Sequence, residues 1–126
     1  MSTILIVEDN EKNMKLVRDI LQHKGYTTLE AATGREGVRL ALERRPDLIL
    51  MDIQLPDIDG IAALREIRKV AALDTTPVIA VSASVMPDDQ HKIITSGFDA
   101  FITKPINLKP FVETVQRFLA SGRKRE

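Results

Sequence analysis

Five short apolar runs, each followed by a longer segment with helical periodicity, account for almost the whole chain. The runs cover residues 3–7, 26–31, 48–51, 78–81 and 100–103. Short apolar runs of this kind are typical of strands, so the chain contains five successive strand–helix repeats. This alternation requires a parallel sheet, because only crossover connections join parallel neighbours. The sequence therefore predicts an α/β fold.

The helical segments begin and end at residues that favour those positions. Asn10 is a suitable N-cap for a first helix over 11–24, and Gly25 a suitable stop. Pro46 prevents the second helix from continuing, and Pro87 fits the first turn of the fourth. The remaining predicted helices cover 35–44, 61–72, 87–97 and 108–120. Apolar residues recur at helical spacing at Met14, Leu16, Val17, Ile20 and Leu21, at Leu64, Ile67 and Ala71, and at Leu108, Phe111, Val112, Val115, Phe118 and Leu119.

The composition of the strands predicts their order in the sheet. Strands one, three and four are almost continuously apolar, as expected when helices cover both faces. The second strand is rich in threonine and less apolar, which favours an edge position. With right-handed crossovers, these features predict a five-stranded parallel sheet of order 2-1-3-4-5, doubly wound with five helices and flavodoxin-like.

Composition narrows the classes of partner and location. The 126 residues suit one domain, predicted over 1–122, followed by a short basic tail at 123–126 that we expect to be solvated. Eighteen acids balance eighteen bases, so no global field favours direct nucleic-acid or membrane binding. The absence of cysteine excludes disulfides and thiolate chemistry. The chain shows neither a signal peptide nor a run long enough to span a bilayer, and we expect a cytoplasmic location.

Acidic side chains follow two of the predicted strands. Glu8 and Asp9 come directly after the first, and Asp52 directly after the third. In this strand order the two strands flank the point at which the order reverses, where ligands bind. Three carboxylates there would repel one another unless a cation lay among them, and all-oxygen ligands favour Mg²⁺ or Mn²⁺. Capping of the first helix by Glu8 and Asp9 is an alternative, but it leaves Asp52 unexplained.

The fourth and fifth strands end in hydrogen-bond donors. Ser82 ends the fourth and Lys104 follows the fifth, and a hydroxyl and an ammonium at one site suit phosphoryl oxygens. Either residue alone would more often be structural. Their significance lies in their positions at successive strand ends. Because Pro105 follows Lys104, the peptide bond between them is more readily cis, and a cis bond would fix the direction from which the lysine enters the site.

The chain resembles the receiver domain of two-component response regulators over nearly its whole length. The resemblance rests on Glu8, Asp9, Asp52, Ser82, Lys104 and Pro105, in this order on this scaffold. It implies that Asp52 accepts a phosphoryl group from a phosphohistidine in a sensor histidine kinase or a histidine phosphotransfer protein. It also implies a signalling domain rather than an enzyme, one that assists its own phosphorylation and dephosphorylation.

The resemblance also implies a ligand set for the metal. Mg²⁺ would be held by Asp9, Asp52 and the backbone carbonyl of Gln54, with Glu8 acting through water. Ser82 would hydrogen-bond the phosphoryl oxygens, and Lys104 would pair with them.

A conformational switch is implied in the same way. Phe101 would be a switch aromatic that turns inward when Ser82 moves towards the phosphate, although a core aromatic is an equally simple interpretation. The output surface for a downstream protein target would be the fourth helix, the fifth strand and the fifth helix. Many receivers have tyrosine in place of Phe101 and threonine in place of Ser82. Gln54 and Ser84 occupy variable positions that influence access of water to the phosphate.

The stretches 8–10, 13–16 and 47–56 look like single-domain receivers of the cell-division-control type. Similar stretches occur in receivers attached to hybrid histidine kinases. If both termini are native, we expect a stand-alone receiver.

Three other functions share parts of this pattern. A haloacid-dehalogenase-type phosphatase also uses an aspartate nucleophile, but it needs a second acid where this chain has Gln54. A receiver-fold interaction module that is never phosphorylated usually lacks the acceptor, an acid or the lysine, whereas this chain has all of them. Flavin binding needs a hydroxyl- and glycine-rich loop after the first strand, where Glu8 and Asp9 would repel a phosphate.

Overall fold

Five strands alternate with five helices in the computed structural model, which describes residues 2–83 and 86–122. The elements are β1 (Thr3–Val7), α1 (Glu11–His23), β2 (Thr27–Ala31), α2 (Gly34–Arg44), β3 (Leu48–Asp52), α3 (Gly60–Arg68), β4 (Val78–Ser82), α4 (Pro87–Thr95), β5 (Ala100–Thr103) and α5 (Leu108–Ser121). All strand pairs are parallel and the order is β2-β1-β3-β4-β5. The predicted fold class is therefore confirmed. Ser84 and the basic tail lie outside the described residues.

The strand register brings four strand ends to one edge of the sheet. Val7 pairs with Met51, the last residue before Asp52. Further along the sheet, Ser82 pairs with Thr103, the last residue before Lys104. Residues that follow these pairs therefore emerge at the same edge, as expected for the carboxyl ends of parallel strands.

The two faces of the sheet bury separate apolar clusters. In β1, Ile4 and Ile6 face α1 and α5, whereas Leu5 and Val7 face α2 and α3. Residues of β3 and β4 alternate in the same way, which explains why these strands are apolar throughout. Each fully buried side chain of this size contributes about 1.5–3 kcal/mol. This packing makes the sheet a rigid platform for its carboxyl edge.

The third helix is shorter than predicted. It ends at Arg68 rather than at 72, and a short 3-10 helix over Ala71–Leu73 follows it. The Arg68 guanidinium donates to the carbonyls of Leu73 and Thr76, both at 2.9 Å, so the chain folds back beneath the helix end. The prediction that Ala71 shares a face of this helix with Leu64 and Ile67 is therefore wrong. Ala71 is exposed, and Leu73 is buried instead.

Two leucines predicted on apolar stripes are exposed. Leu16 is 44% exposed because it lies to one side of the buried α1 face formed by Met14, Val17 and Leu21. Leu108 is 58% exposed because it begins α5, one turn before the first buried residue, Phe111. The other boundaries agree with the prediction or differ from it by one or two residues. None of the described helices is long and apolar enough to cross a bilayer.

Candidate functional site

Three carboxylates converge at the carboxyl edge of the sheet. Glu8, Asp9 and Asp52 each present an oxygen atom, and these atoms all lie within 4.8 Å of one another. Glu8 and Asp52 are buried, at 5% and 4% exposure, whereas Asp9 is exposed. The expected convergence of the acids is therefore present, and it produces a concentration of negative charge that a cation would relieve.

Lys104 reaches both buried carboxylates from the end of β5. Its Nζ atom lies 2.9 Å from Asp52 Oδ2 and 3.1 Å from Glu8 Oε1. Its backbone N–H donates to the Ser82 carbonyl at 2.8 Å, which fixes the base of the side chain against β4. The peptide bond between Lys104 and Pro105 is cis. One ammonium thus partly neutralises a cluster of three carboxylates.

The pKa values of Glu8 and Lys104 reflect their burial and their contacts with each other and with Asp52. Burial raises the pKa of Glu8, and the hydrogen bond and charge of Asp52 raise it further. The Asn10 backbone N–H and the Lys104 ammonium oppose this rise without cancelling it. Burial alone would lower the pKa of Lys104, but its hydrogen bonds to Asp52 and Glu8 and their charges outweigh burial, so that pKa is raised. The lysine is therefore charged at neutral pH.

The loop between β3 and α3 closes over Asp52. The Gln54 backbone N–H donates to Asp52 Oδ1 at 3.0 Å, and the Gly60 N–H donates to the Ile53 carbonyl at 2.9 Å. A Cβ atom at Gly60 would lie 2.7 Å from the Asp52 carbonyl oxygen and 2.9 Å from Ile53 Cα. Only glycine therefore allows α3 to begin this close to the end of β3. Asp52 is held through one oxygen by Gln54 and through the other by Lys104.

Ser82 and Phe101 lie on the α4 side of the site. Ser82 is buried at the end of β4 and lines a cleft with Gln54, Asp59 and Lys92. Phe101 is half-buried and packs against the apolar cluster beneath α3 and α4. The sheet register pairs it with Ala80, two residues before Ser82.

A contact beside the site that the sequence did not predict joins Asp57 to the start of α2. Asp57 Oδ1 accepts a hydrogen bond from the Gly34 N–H at 2.8 Å, and Oδ2 accepts one from the Arg35 N–H at 2.9 Å. The positive end of the helix dipole favours a carboxylate there. More than twenty positions separate these partners along the chain, so no local spacing indicates the contact. The loop that closes over Asp52 is thus attached to a second helix.

Asp57 should make stability depend on acid pH. The Arg35 backbone N–H, followed by those of Ile58 and Gly34, lowers the pKa of Asp57 to about 2. Because the folded-state pKa lies below the unfolded value of about 3.9, the contribution is present above that value and is lost as the pH falls towards 2. Asp57→Asn should therefore be less stable than the wild type at neutral pH. Urea unfolding should show this difference shrinking between about pH 4 and pH 2. A difference that stays constant with pH would contradict the assignment.

Comparison with known proteins places these features in a family. The profile of the response regulator receiver domain matches residues 4–116. The chain belongs to the response regulator receiver domain family. The polar-differentiation response regulator DivK of Brucella anthropi is 45% identical over 120 residues, which cover 95% of this chain and 98% of the relative. DivK of Brucella ovis is 44% identical with the same coverage.

Solved receiver structures share the fold. The receiver domain of sensor histidine kinase PA1611 from Pseudomonas aeruginosa is 34% identical with a TM-score of 0.88, and the match covers 94% of this chain and 98% of that one. That structure is described with a magnesium ion coordinated in the active-site cleft. A receiver domain of a histidine kinase from Syntrophus aciditrophicus is 36% identical with a TM-score of 0.89, covering 100% of this chain and 96% of that one.

Membership in the family establishes the general role. Receiver domains are signalling domains of two-component systems that interact with histidine kinases and downstream targets, and they bind Mg²⁺ at an acidic pocket. The resemblance found in the sequence is therefore confirmed, including its likeness to cell-division-control receivers. The comparisons favour neither the unphosphorylated interaction module nor the phosphatase.

Proposed function

We propose that Asp52 is the phosphoacceptor of this receiver. Its phosphoryl donor would be a phosphohistidine in a sensor histidine kinase or a histidine phosphotransfer protein. The observation that supports this most directly is the position of the Asp52 carboxylate, which contacts Lys104 at 2.9 Å within a cluster of acids. An aspartate oxygen is a competent nucleophile for in-line phosphoryl transfer. The product is a mixed anhydride that water hydrolyses, so the signal is temporary.

The residues present fit a divalent metal ion. Two buried carboxylates and one exposed carboxylate within 4.8 Å carry more negative charge than Lys104 neutralises, and hard oxygen donors favour Mg²⁺, with Mn²⁺ as an alternative. Asp9, Asp52 and the backbone carbonyl of Gln54 would hold the ion, and Glu8 would act through water. When bound, the ion would neutralise charge on the phosphoryl oxygens.

The remaining residues of the site act on the phosphoryl group directly. The Lys104 ammonium, which contacts Asp52 at 2.9 Å, stabilises negative charge on the phosphoryl oxygens during transfer. The Ser82 hydroxyl, on the strand beside β3, donates to a phosphoryl oxygen. These roles assist phosphorylation and dephosphorylation of the chain itself, and we do not assign turnover of a separate substrate.

The signal would pass from Ser82 to the surface formed by α4, β5 and α5. Movement of Ser82 towards the phosphate opens space on the strand next to Phe101, whose half-buried ring turns inward. Ile94 on α4 and Leu108 on α5 are exposed, so this surface offers apolar area to a downstream protein target. We expect this protein to act in the cytoplasm, with residues 1–122 as its receiver domain and without direct nucleic-acid or membrane binding.

Chemical phosphorylation tests the proposal. Acetyl phosphate with Mg²⁺ should add one phosphoryl group that is stable in acid but labile in alkali and hydroxylamine. Hydroxylamine trapping followed by peptide mass spectrometry should locate the hydroxamate at Asp52. Modification at another residue, or incorporation that does not depend on a divalent ion, would refute the proposal.

A further inference from the structure

We propose that Asp57 is a positioning residue which, by attaching the β3–α3 loop to the start of α2, sets the affinity of the site for Mg²⁺. This inference rests on the proposed function, in which the backbone carbonyl of Gln54 is a metal ligand. Asp57 lies three residues beyond Gln54 and binds the Gly34 and Arg35 N–H groups at 2.8 and 2.9 Å. It is not among the residues proposed to bind the phosphoryl group or the ion.

The hydrogen bonds at the inner end of the loop do not by themselves orient the carbonyl. The Ile53 N–H donates to Val81 and the Gln54 N–H donates to Asp52, so the amide of Gln54 is fixed. The direction of its carbonyl depends on the path that the chain takes afterwards. That path is stiff, because Pro56 has a fixed φ and restricts Leu55 before it. Because the backbone angles of Leu55 and Pro56 are restricted, the position of Asp57 sets the direction of the Gln54 carbonyl.

The helix side of the contact is built for close approach. A Cβ atom at Gly34 would lie 2.5 Å from Ile58 Cγ1, 3.1 Å from the Ile58 carbonyl oxygen and 3.3 Å from Asp57 Oδ1. Glycine at this position therefore lets the loop rest directly on the first turn of α2. Ile58 also packs against the apolar cluster on this face of the sheet, so the loop is held by an apolar and a polar contact together.

Calorimetric titration of Mg²⁺ into wild type and variants tests the proposal. Asp57→Ala should weaken Mg²⁺ affinity by about tenfold, the loss expected for a residue that orients a metal ligand. Asp57→Asn retains one acceptor oxygen and should weaken it less. Asp9→Ala, which removes a ligand, is the positive control. The carbonyl carbon resonance of Gln54 should shift in both Asp57 variants without metal, which a general loss of stability would not cause.

Asp47 provides a matched control for loss of stability. It also joins distant segments through a carboxylate, accepting the Thr3 N–H at 2.7 Å, but it lies at the opposite end of β3 from Asp52. Asp47→Ala should lower the thermal midpoint and leave Mg²⁺ affinity unchanged.

Gly34→Ala tests the contact from the helix side and is the decisive variant if Asp57→Ala does not fold. It should displace Ile58 and weaken Mg²⁺ binding while keeping every carboxylate. If the wild type binds Mg²⁺ but Asp57→Asn and Gly34→Ala bind it equally well, the positioning role is wrong and the proposed function stands. If the wild type itself binds no Mg²⁺, the proposed metal site fails, and the role of Asp57 fails with it.

Discussion

Replacing Asp52 with asparagine should reduce phosphorylation by acetyl phosphate below detection. The amide keeps the size of the side chain and a carbonyl oxygen that can accept the Gln54 N–H, so the loop should keep its conformation. It lacks the anionic oxygen needed to attack phosphorus and to balance Lys104. Intact-protein mass spectrometry should show one added phosphoryl group in the wild type and none in the variant. Asp47→Asn, at the other end of β3, should be labelled like the wild type.

The same variant should change the ionisation of its neighbour. Asp52 contributes a hydrogen bond and a charge that raise the pKa of Glu8, in addition to the effect of burial. Without that charge the Glu8 pKa should fall, which NMR titration of the Glu8 carboxyl group can measure. Persistent labelling of Asp52→Asn at the wild-type level would remove the phosphoacceptor assignment. An unchanged Glu8 pKa would show that the two carboxylates do not interact in solution.

The strand order and the meeting of the site residues follow from local patterns. Apolar runs of strand length, broken by helical segments, leave few parallel topologies once crossovers are right-handed. In the order β2-β1-β3-β4-β5, residues at or directly after the carboxyl ends of β1, β3 and β5 must share one edge of the sheet. Glu8, Asp52 and Lys104 could therefore be placed together without any knowledge of their side-chain contacts.

Contacts made across long sequence separations were not predictable in this way. Asp57 lies in an irregular loop, and its partners are backbone N–H groups that every non-proline residue has, so nothing at Gly34 or Arg35 marks them as partners. Arg68 is a similar case. Its place in the sequence predicts only an ordinary arginine on a helix. Its guanidinium instead donates to the carbonyls of Leu73 and Thr76 and pairs with Asp99 at 3.1 Å. That network ends the helix earlier than periodicity indicated.

Replacing Lys104 with methionine should slow phosphorylation by about 100-fold, because the variant lacks the donor that stabilises charge beside the nucleophile. Methionine keeps much of the apolar length of the lysine side chain, so the loss should come chiefly from the missing charge. In metal-free buffer the variant should also lose about 3 kcal/mol of stability, since Glu8 and Asp52 would be buried without a cation. This value is at the low end for a broken buried ion pair because a fifth of the Lys104 side chain is exposed. Lys109→Met, an exposed position on α5, is the control.

Magnesium should offset the stability loss in Lys104→Met more than it stabilises the wild type. With the ammonium absent, three carboxylates within 4.8 Å have no internal counter-charge, so a divalent cation relieves a greater repulsion. By linkage, tighter binding to the folded state produces a larger rise in unfolding temperature at a given Mg²⁺ concentration. Thermal unfolding with and without Mg²⁺ measures this difference for the variant, the wild type and Lys109→Met. A smaller rise in unfolding temperature in Lys104→Met than in the wild type would mean that the lysine helps to hold the ion. The view that the Lys104 ammonium and Mg²⁺ balance the same negative charge would then be wrong.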